Sequence, residues 1–360
     1  MKVVFRVDAS LVMGTGHVMR CLTLAQVLKA NGANVEFICR KHKGSLIDKI
    51  RSNGFVVYEL ELYGEADVDT SLAHSHWLGV TQRQDADDCV DILKAEKLDW
   101  LIVDHYALDE QWQKKLKPYY EKLIVIDDLA DRKHQCDILL DQTFGRQQED
   151  YLTLTPEDCK LLLGSQYALL RPEFTEWRGV SLERRSKPEF KQLLINMGGV
   201  DVDNVTEKVL DELTICNLPN DLKITVVMGG SAPHLESVKS KAITLPYKTE
   251  VKVDVGNMAE IMSNSDVAIG ASGSTTWERC CLGLPTIQVI TANNQSVLAK
   301  SLDKAGVIEL IKQNNDLDGC LGRLNNKKYY MNIVYKAMNI TDGIGCNKVF
   351  KFLTGKGDGV

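Results

Sequence analysis

Met1-Lys2-Val3-Val4-Phe5-Arg6-Val7-Asp8 leads through a short turn into Gly14-Thr15-Gly16-His17-Val18-Met19-Arg20, and the order of these pieces decides the fold. A run of β-branched and aromatic residues ends in a charge. A glycine loop follows, then a segment from about His17 to Asn31 with Gly32 as its C-terminal stop. Strand, loop and helix in that order open a βαβ unit. The early charges also make this a buried strand rather than a signal peptide.

The same alternation continues along the chain. Short apolar runs at Val35–Cys39, Val56–Leu60, Trp100–Asp104, Lys122–Asp127 and Asp137–Leu140 extend a first parallel sheet, with a second short helix at Gly44–Asn53. Tyr63–Asp88 is polar and poorly periodic and reads as a long loop leading into a helix. A second series runs through Leu193–Met197, Ile224–Met228, Lys252–Val255, Val267–Ile269 and Thr286–Val289. Between the two series, Arg171–Lys191 is charged and contains Pro172 and Pro188, the composition of a hinge. The expected fold is α/β: two Rossmann-like, doubly wound domains facing a central cleft. Residues 1–170 and 192–340 form the domains, 171–191 the linker and 341–360 a C-terminal tail or helix.

Composition narrows the function classes. The 360 residues carry 43 Lys and Arg against 49 Asp and Glu, a net charge of -6. That balance speaks against a nucleic-acid partner, which selects for a basic face. No apolar run approaches the ~20 residues of a membrane span. None of the ten cysteines forms a C-x-x-C pair, so reduced thiols in a cytoplasmic protein are expected, with no structural zinc.

The glycine loop sits where a dinucleotide fingerprint would, but it lacks two of its parts. Met19 stands where the third glycine belongs, and the second strand ends Arg40-Lys41-His42 rather than in the acid that binds ribose. No cofactor is expected. Gly14 and Gly16 instead let backbone approach a ligand and aim His17 at the strand ends. Helix N-terminal amides disfavour an imidazolium there, as suits a general base. The plain alternative is an ordinary first-turn histidine. Asp8 at the strand end and Arg20 one turn into the helix tip the balance towards a site. Asp104-His105-Tyr106 and Asp127-Asp128 end two further strands. Taken singly, Asp104 and Asp127 read as caps, and Tyr106 as a substrate or histidine partner or a half-buried aromatic.

In the second half, Gly270-Ala271-Ser272-Gly273-Ser274-Thr275 has no bulky side chain and opens a helix carrying Glu278. Backbone can wrap an anion there. The hydroxyls of Ser272, Ser274 and Thr275 suit a diphosphate without a metal, and Glu278 suits ribose hydroxyls. Gly198-Gly199, Met258 and Asn294-Gln295 follow or precede neighbouring strands and join the candidate ligand-binding set. Asp67-Val68-Asp69 and Asp201-Val202-Asp203 have the D-x-D form that holds a divalent ion in some sugar-nucleotide enzymes. For the second pair helix capping is the cheaper explanation, and no metal is expected.

Together, Gly14–Arg20, Val103-Asp104-His105-Tyr106, Cys136–Gln142, Met197–Asp201 and the stretch from Ser272 to Pro285 make the chain resemble a known family. It is similar to the UDP-2,4-diacetamido-2,4,6-trideoxy-β-L-altropyranose hydrolases of pseudaminic acid biosynthesis, from Met1 to about Ala305. The Gly273–Pro285 region also resembles the donor site of the UDP-GlcNAc-using transferase that makes lipid II, which implies a GT-B-like fold. The resemblance implies hydrolysis of a UDP-sugar by water attack at C1, with inversion and no metal. His17 matches the catalytic base, Tyr106 the tyrosine beside it, and Ser272, Gly273, Ser274 and Glu278 the UDP-holding stretch. Trp277 departs from the pattern. The expected partner is a small-molecule UDP-sugar, bound by a monomer that touches neither nucleic acid nor membrane. A GT-B glycosyltransferase, a UDP-sugar epimerase and a nucleotide-sugar-binding module remain as alternatives.

Overall fold

The computed structural model describes residues 1–63, 72–291, 295–311 and 316–355. The chain divides into two compact units, one of Met1–Leu169 with the residues from Gly345 onward, the other of Leu170–Ile344.

The first unit has seven strands, β1 (Lys2–Val7), β2 (Asn34–Arg40), β3 (Val56–Leu60), β4 (Leu98–Asp104), β5 (Tyr120–Ile126), β6 (Ile138–Asp141) and β7 (Lys160–Leu163). Helices α1 (Gly16–Ala30), α2 (Ile47–Ser52), α3 (Gln82–Leu93) and α4 (Glu110–Leu116) connect them. All pairings are parallel, in the order β3-β2-β1-β4-β5-β6-β7. The alternation of β1 explains its two-sided burial. Val3, Phe5 and Val7 pack with α1 in one core, while Val4 enters the other, with Ala86, Cys89 and Trp112. Arg6 shares the face of Val4 and is fully buried, where Asp85 of α3 meets it through Nη2 at 2.6 Å.

The second unit contains α5 (Pro172–Arg185), β8 (Gln192–Asn196), α6 (Val205–Leu213), β9 (Lys223–Met228), α7 (Leu235–Thr244), β10 (Lys248–Val253), α8 (Met258–Ser263) and β11 (Val267–Ala271). It continues through α9 (Thr275–Cys281), β12 (Thr286–Val289), α10 (Ser296–Ala305), β13 (Glu309–Leu310), α11 (Leu317–Asn325) and α12 (Lys327–Met338). Its sheet is also parallel, ordered β10-β9-β8-β11-β12-β13. In both units the strand order reverses beside the first strand, and a doubly wound sheet binds ligands at the carboxyl ends of the strands flanking that point.

Two expected boundaries differ. Arg171–Lys191 is not a free linker, because most of it is α5, an integral helix of the second unit. Pro172 sits at the first helical position, where a missing N–H costs nothing. Arg185 is fully buried and donates to Ser181 O (2.9 Å), Met262 O (3.0 Å) and Ser265 O (3.0 Å), so its charge meets the carbonyl end of α8. The C-terminal segment is no tail either. A last helix, α13 (Gly345–Leu353), places Cys346, Val349 and Leu353 in the core of the first unit, and the Trp100 indole donates to Leu353 O at 3.2 Å. β7 and β13 lie outside the strands expected from the sequence. No helix among the described residues is long and apolar enough to cross a membrane. All ten cysteines are free thiols.

Candidate active site

In the first unit the switch point lies between β1 and β4, whose register pairs Val7 with Asp104. The loop after β1 is folded back by a hydrogen bond from Gly14 N to Ser10 O (2.8 Å), and Gly14 has φ +76°, a conformation that favours glycine. Gly16 then begins α1, so His17 and Arg20 share one helix face a turn apart. Both reach Asp104. His17 Nδ1 lies 2.6 Å from Asp104 Oδ1, while Arg20 Nε and Nη2 donate to Oδ2 (2.6 Å) and Oδ1 (2.7 Å). Arg20 also pairs with Asp128, and the Tyr106 hydroxyl donates to Asp128 at 2.8 Å. The Tyr106 ring stands edge-on to His17, with centroids 4.6 Å apart.

This geometry sets the proton positions. Burial works to raise the Asp104 carboxyl, but Arg20 and His17 hold it well below the ordinary range. A charged Asp104 against Nδ1 assigns that nitrogen as the donor, so in the neutral ring the lone pair is on Nε2, the arrangement of a general base. Burial pushes Tyr106 well above the usual phenol value, so its hydroxyl stays a donor.

Asp8 is the correction. It was expected beside His17 and Arg20, but Arg6, two residues earlier on the same strand face, claims it with Nη1 at 2.6 Å from Oδ1. Its remaining neighbours are Arg40 N (2.7 Å), His105 Nε2 (3.3 Å) and His42 Nε2 (3.6 Å). A fully buried guanidinium demands a counter-charge. Asp8 therefore belongs to the scaffold beneath the site, and Asp104 takes the place beside His17 that capping would have denied it. Asp127 is also more than a cap: it binds Arg132 at 2.8 Å and accepts from the Tyr151 hydroxyl at 3.0 Å.

In the second unit the switch point lies between β8 and β11. Gly198 and Gly199 follow β8, and Gly199 O accepts from Gly229 N at 3.1 Å. After β11, Ser272 is 2 % exposed, and its hydroxyl has no partner among the described residues. Gly273 N donates to Thr276 Oγ1 (3.3 Å), and Ser274 precedes the first residue of α9 without a side-chain capping bond. Thr275 Oγ1 accepts from Arg279 Nη1 at 3.2 Å, and Arg279 Nη2 donates to Ala271 O at 2.8 Å. Sequence reasoning missed Arg279. Its guanidinium is fully buried under the small-residue loop, with no carboxylate in ion-pair contact among the described residues, and burial lowers its pKa to about 10. Gly270 makes room for it: a Cβ there would lie 2.5 Å from Arg279 Nη1.

Glu278 lies 3.5 Å from Arg171 Nη2, and burial raises its carboxyl above the usual 4.5 against the pull of Arg171. Met258 is the buried first residue of α8. Gln295 turns inward, with its side-chain oxygen accepting from Thr291 N at 3.0 Å. Trp277 is buried in the second unit. Asp201 caps α6 by accepting from Val205 N (2.9 Å) and Thr206 N (2.8 Å). Asn294 and the Asp67–Asp69 pair lie outside the described residues. Among the described residues no group of three or more His, Cys, Asp or Glu side chains is arranged to hold a metal ion.

Two parallel α/β units, each with polar side chains gathered at its own switch point, define a GT-B-like protein. The fold matches that of Acinetobacter baumannii MurG with a TM-score of 0.70 over 98 % of this chain and 99 % of that one, at 16 % identity. Residues 193–327 match the glycosyltransferase family 28 C-terminal domain. The resemblance carried by the sequence motifs extends over most of the chain. It is 29 % identical to the UDP-2,4-diacetamido-2,4,6-trideoxy-beta-L-altropyranose hydrolase of Campylobacter jejuni, across 85 % of this chain and 97 % of that protein. An uncharacterised protein of Methanocaldococcus jannaschii is 28 % identical across 80 % of this chain, which spans about half (55 %) of that longer protein.

Proposed function

We propose that this chain is an enzyme acting on nucleotide sugars, and specifically that it hydrolyses a UDP-linked 2,4-diacetamido-2,4,6-trideoxy sugar to the free sugar and UDP. The observation that carries the reading is the His17–Asp104 contact of 2.6 Å at the end of β4, with Arg20 locking the carboxylate. His17 Nε2 removes a proton from water as the water oxygen attacks C1. The bond from C1 to the diphosphate oxygen breaks, UDP departs with the bonding pair, and the anomeric configuration inverts. Asp104 stabilises the imidazolium that forms. Within the second unit, Ser272, the loop to Thr275 and the Arg279 charge beneath it suit a diphosphate, and Glu278 suits ribose hydroxyls. The similarity to the Campylobacter hydrolase supports the substrate class. The same reading needs no metal and no partner chain, and it places the work in the cytoplasm.

The test is NMR-monitored turnover of a panel of UDP-sugars by the chain alone, with EDTA present. Free sugar of inverted configuration together with free UDP is the expected result. UDP release that appears only when an acceptor is added would make the protein a transferase, a reading favoured by the family 28 match over residues 193–327. A UDP-linked product with no UDP released would make it an epimerase, and affinity without turnover a binding module.

Glu278 adds a pH dependence. Its raised carboxyl takes up a proton before an ordinary glutamate does, and a neutral carboxyl is the weaker acceptor for ribose hydroxyls. UDP affinity by calorimetry is therefore expected to fall as pH drops through the raised value of this carboxyl, before an ordinary glutamate titrates. Because the folded pKa lies above the unfolded one, protonation of Glu278 stabilises the ligand-free fold over the same window. Affinity and stability then move in opposite directions. Glu278→Gln should remove the pH dependence and bind UDP at the weaker, low-pH level throughout.

A further inference from the structure

The reaction scheme leaves three aromatic rings next to His17 without a task. A 3-10 turn at Ser75–Trp77 brings His74 and Trp77 to the site ahead of α3. The Trp77 ring stacks on Tyr106 at 5.6 Å, 26° from parallel, and stands edge-on to His17 at 6.1 Å. His74 lies 4.4 Å from Trp77 and 5.5 Å from Tyr106. Tyr106 is a fixed backing, held through its hydroxyl by Asp128 and covered by the Arg132 guanidinium at 5.7 Å.

The exposure pattern is unlike that of a core cluster. Tyr106 is buried, but Trp77 and His74 are only partly so. Two tryptophans of the same unit that serve packing find a partner for the N–H. Trp112 does so with Asp85 Oδ1 (2.9 Å), and Trp100 with Leu353 O (3.2 Å). Among the described residues the Trp77 N–H has no such partner, and neither has a His74 ring nitrogen. Burial lowers the His74 pKa, which keeps that ring neutral beside the base. A flat apolar surface with an unused donor at its edge suits a sugar ring that has an apolar C–H face and an acyl-amino carbonyl.

We propose that Trp77, flanked by His74 and backed by Tyr106, is the platform for the glycosyl ring, with the C–H face on the indole and an acetamido oxygen accepting its N–H. Trp77 is then a positioning residue that selects N-acylated deoxy sugars over hydroxyl-rich hexoses. This inference rests on the hydrolase reading above, and its test separates the two.

Full-length wild-type, Trp77→Ala and Trp77→Phe proteins are compared with the UDP-sugar that wild type turns over and with UDP itself. Trp77→Ala is expected to raise KM for the UDP-sugar by about tenfold or more, the equivalent of losing one aromatic face. Inhibition by UDP should stay at the wild-type level. Trp77→Phe keeps a ring without the donor and should fall between the two. In a parallel titration, UDP-sugar should shift tryptophan emission beyond any change that UDP alone causes through Trp277, and that additional shift should vanish in Trp77→Phe. An unchanged KM in Trp77→Ala, equal weakening of UDP, or a sugar-dependent shift that persists in Trp77→Phe overturns the proposal. If wild type releases no UDP from any sugar tested, the hydrolase reading falls, and the emission titration still decides whether Trp77 contacts the sugar.

Discussion

Replacing His17 with alanine is expected to lower kcat by about 10²–10⁴-fold, the usual contribution of a positioned general base. UDP affinity should not change, because among the described residues the ring meets Asp104, Arg20 and the aromatic neighbours of its own unit. Asp104→Asn tests the same step from behind the ring. The amide has nearly the shape of the carboxylate, but its N–H₂ can face Nδ1 and favour the tautomer with the proton on Nε2, which leaves no lone pair for water. It also removes the charge that stabilises the imidazolium. A loss on the order of 10²-fold or more in kcat is expected, with UDP affinity retained. The double variant should be little worse than His17→Ala alone, since the two residues act as one unit. Near-normal turnover by His17→Ala, with the fold intact by circular dichroism, would remove His17 from the chemistry.

Much of this site was legible in the sequence because parallel sheets place function at strand ends. The strand, glycine loop and helix at Met1–Arg20 locate the first switch point, and the small-residue run at Gly270–Thr275 marks the second. What stayed hidden is the choice between near-equivalent acids. Asp8 and Asp104 both end strands, and an orienting aspartate and a helix cap look alike in one dimension. The choice depends on the Val7–Asp104 register and on Arg6, whose buried charge takes Asp8. Arg171–Lys191 misleads for a related reason. Its charges suggest solvent, yet Arg185 is spent on carbonyls inside the second unit, and Pro172 marks a helix start rather than a break. The stripe of Cys346, Val349 and Leu353 is too short to stand out until α13 docks.

Asp85 is the extreme case. Gln82-Arg83-Gln84-Asp85-Ala86-Asp87-Asp88 belongs to the polar stretch that reads as a long loop leading into a helix. In the fold Asp85 is completely buried and accepts from Arg6 Nε (3.1 Å) and Nη2 (2.6 Å), Arg40 Nη2 (2.8 Å), the Trp112 indole (2.9 Å) and the Cys89 thiol (3.7 Å). Burial alone would raise its carboxyl, but Arg6 and Arg40 hold it below the usual 3.8. Asp85→Ala strips a shared counter-ion from two guanidiniums that have no water to turn to. Asp8 and Asp88 remain for them, but each faces a cation it no longer shares. Removing one member of such a network costs about 3–5 kcal/mol. For a unit of this size that is about 6–20 °C in Tm. The sign with pH follows from the lowered carboxyl. Its contribution is complete above the ordinary value of 3.8 and is lost only as pH falls through the depressed one. Wild type should therefore hold this unit together to lower pH than Asp85→Asn does. An Asp85→Ala protein melting within about 1 kcal/mol of wild type would mean that Asp8 and Asp88 suffice for both arginines, because so small a loss is ordinary for a surface change and not for a buried counter-ion.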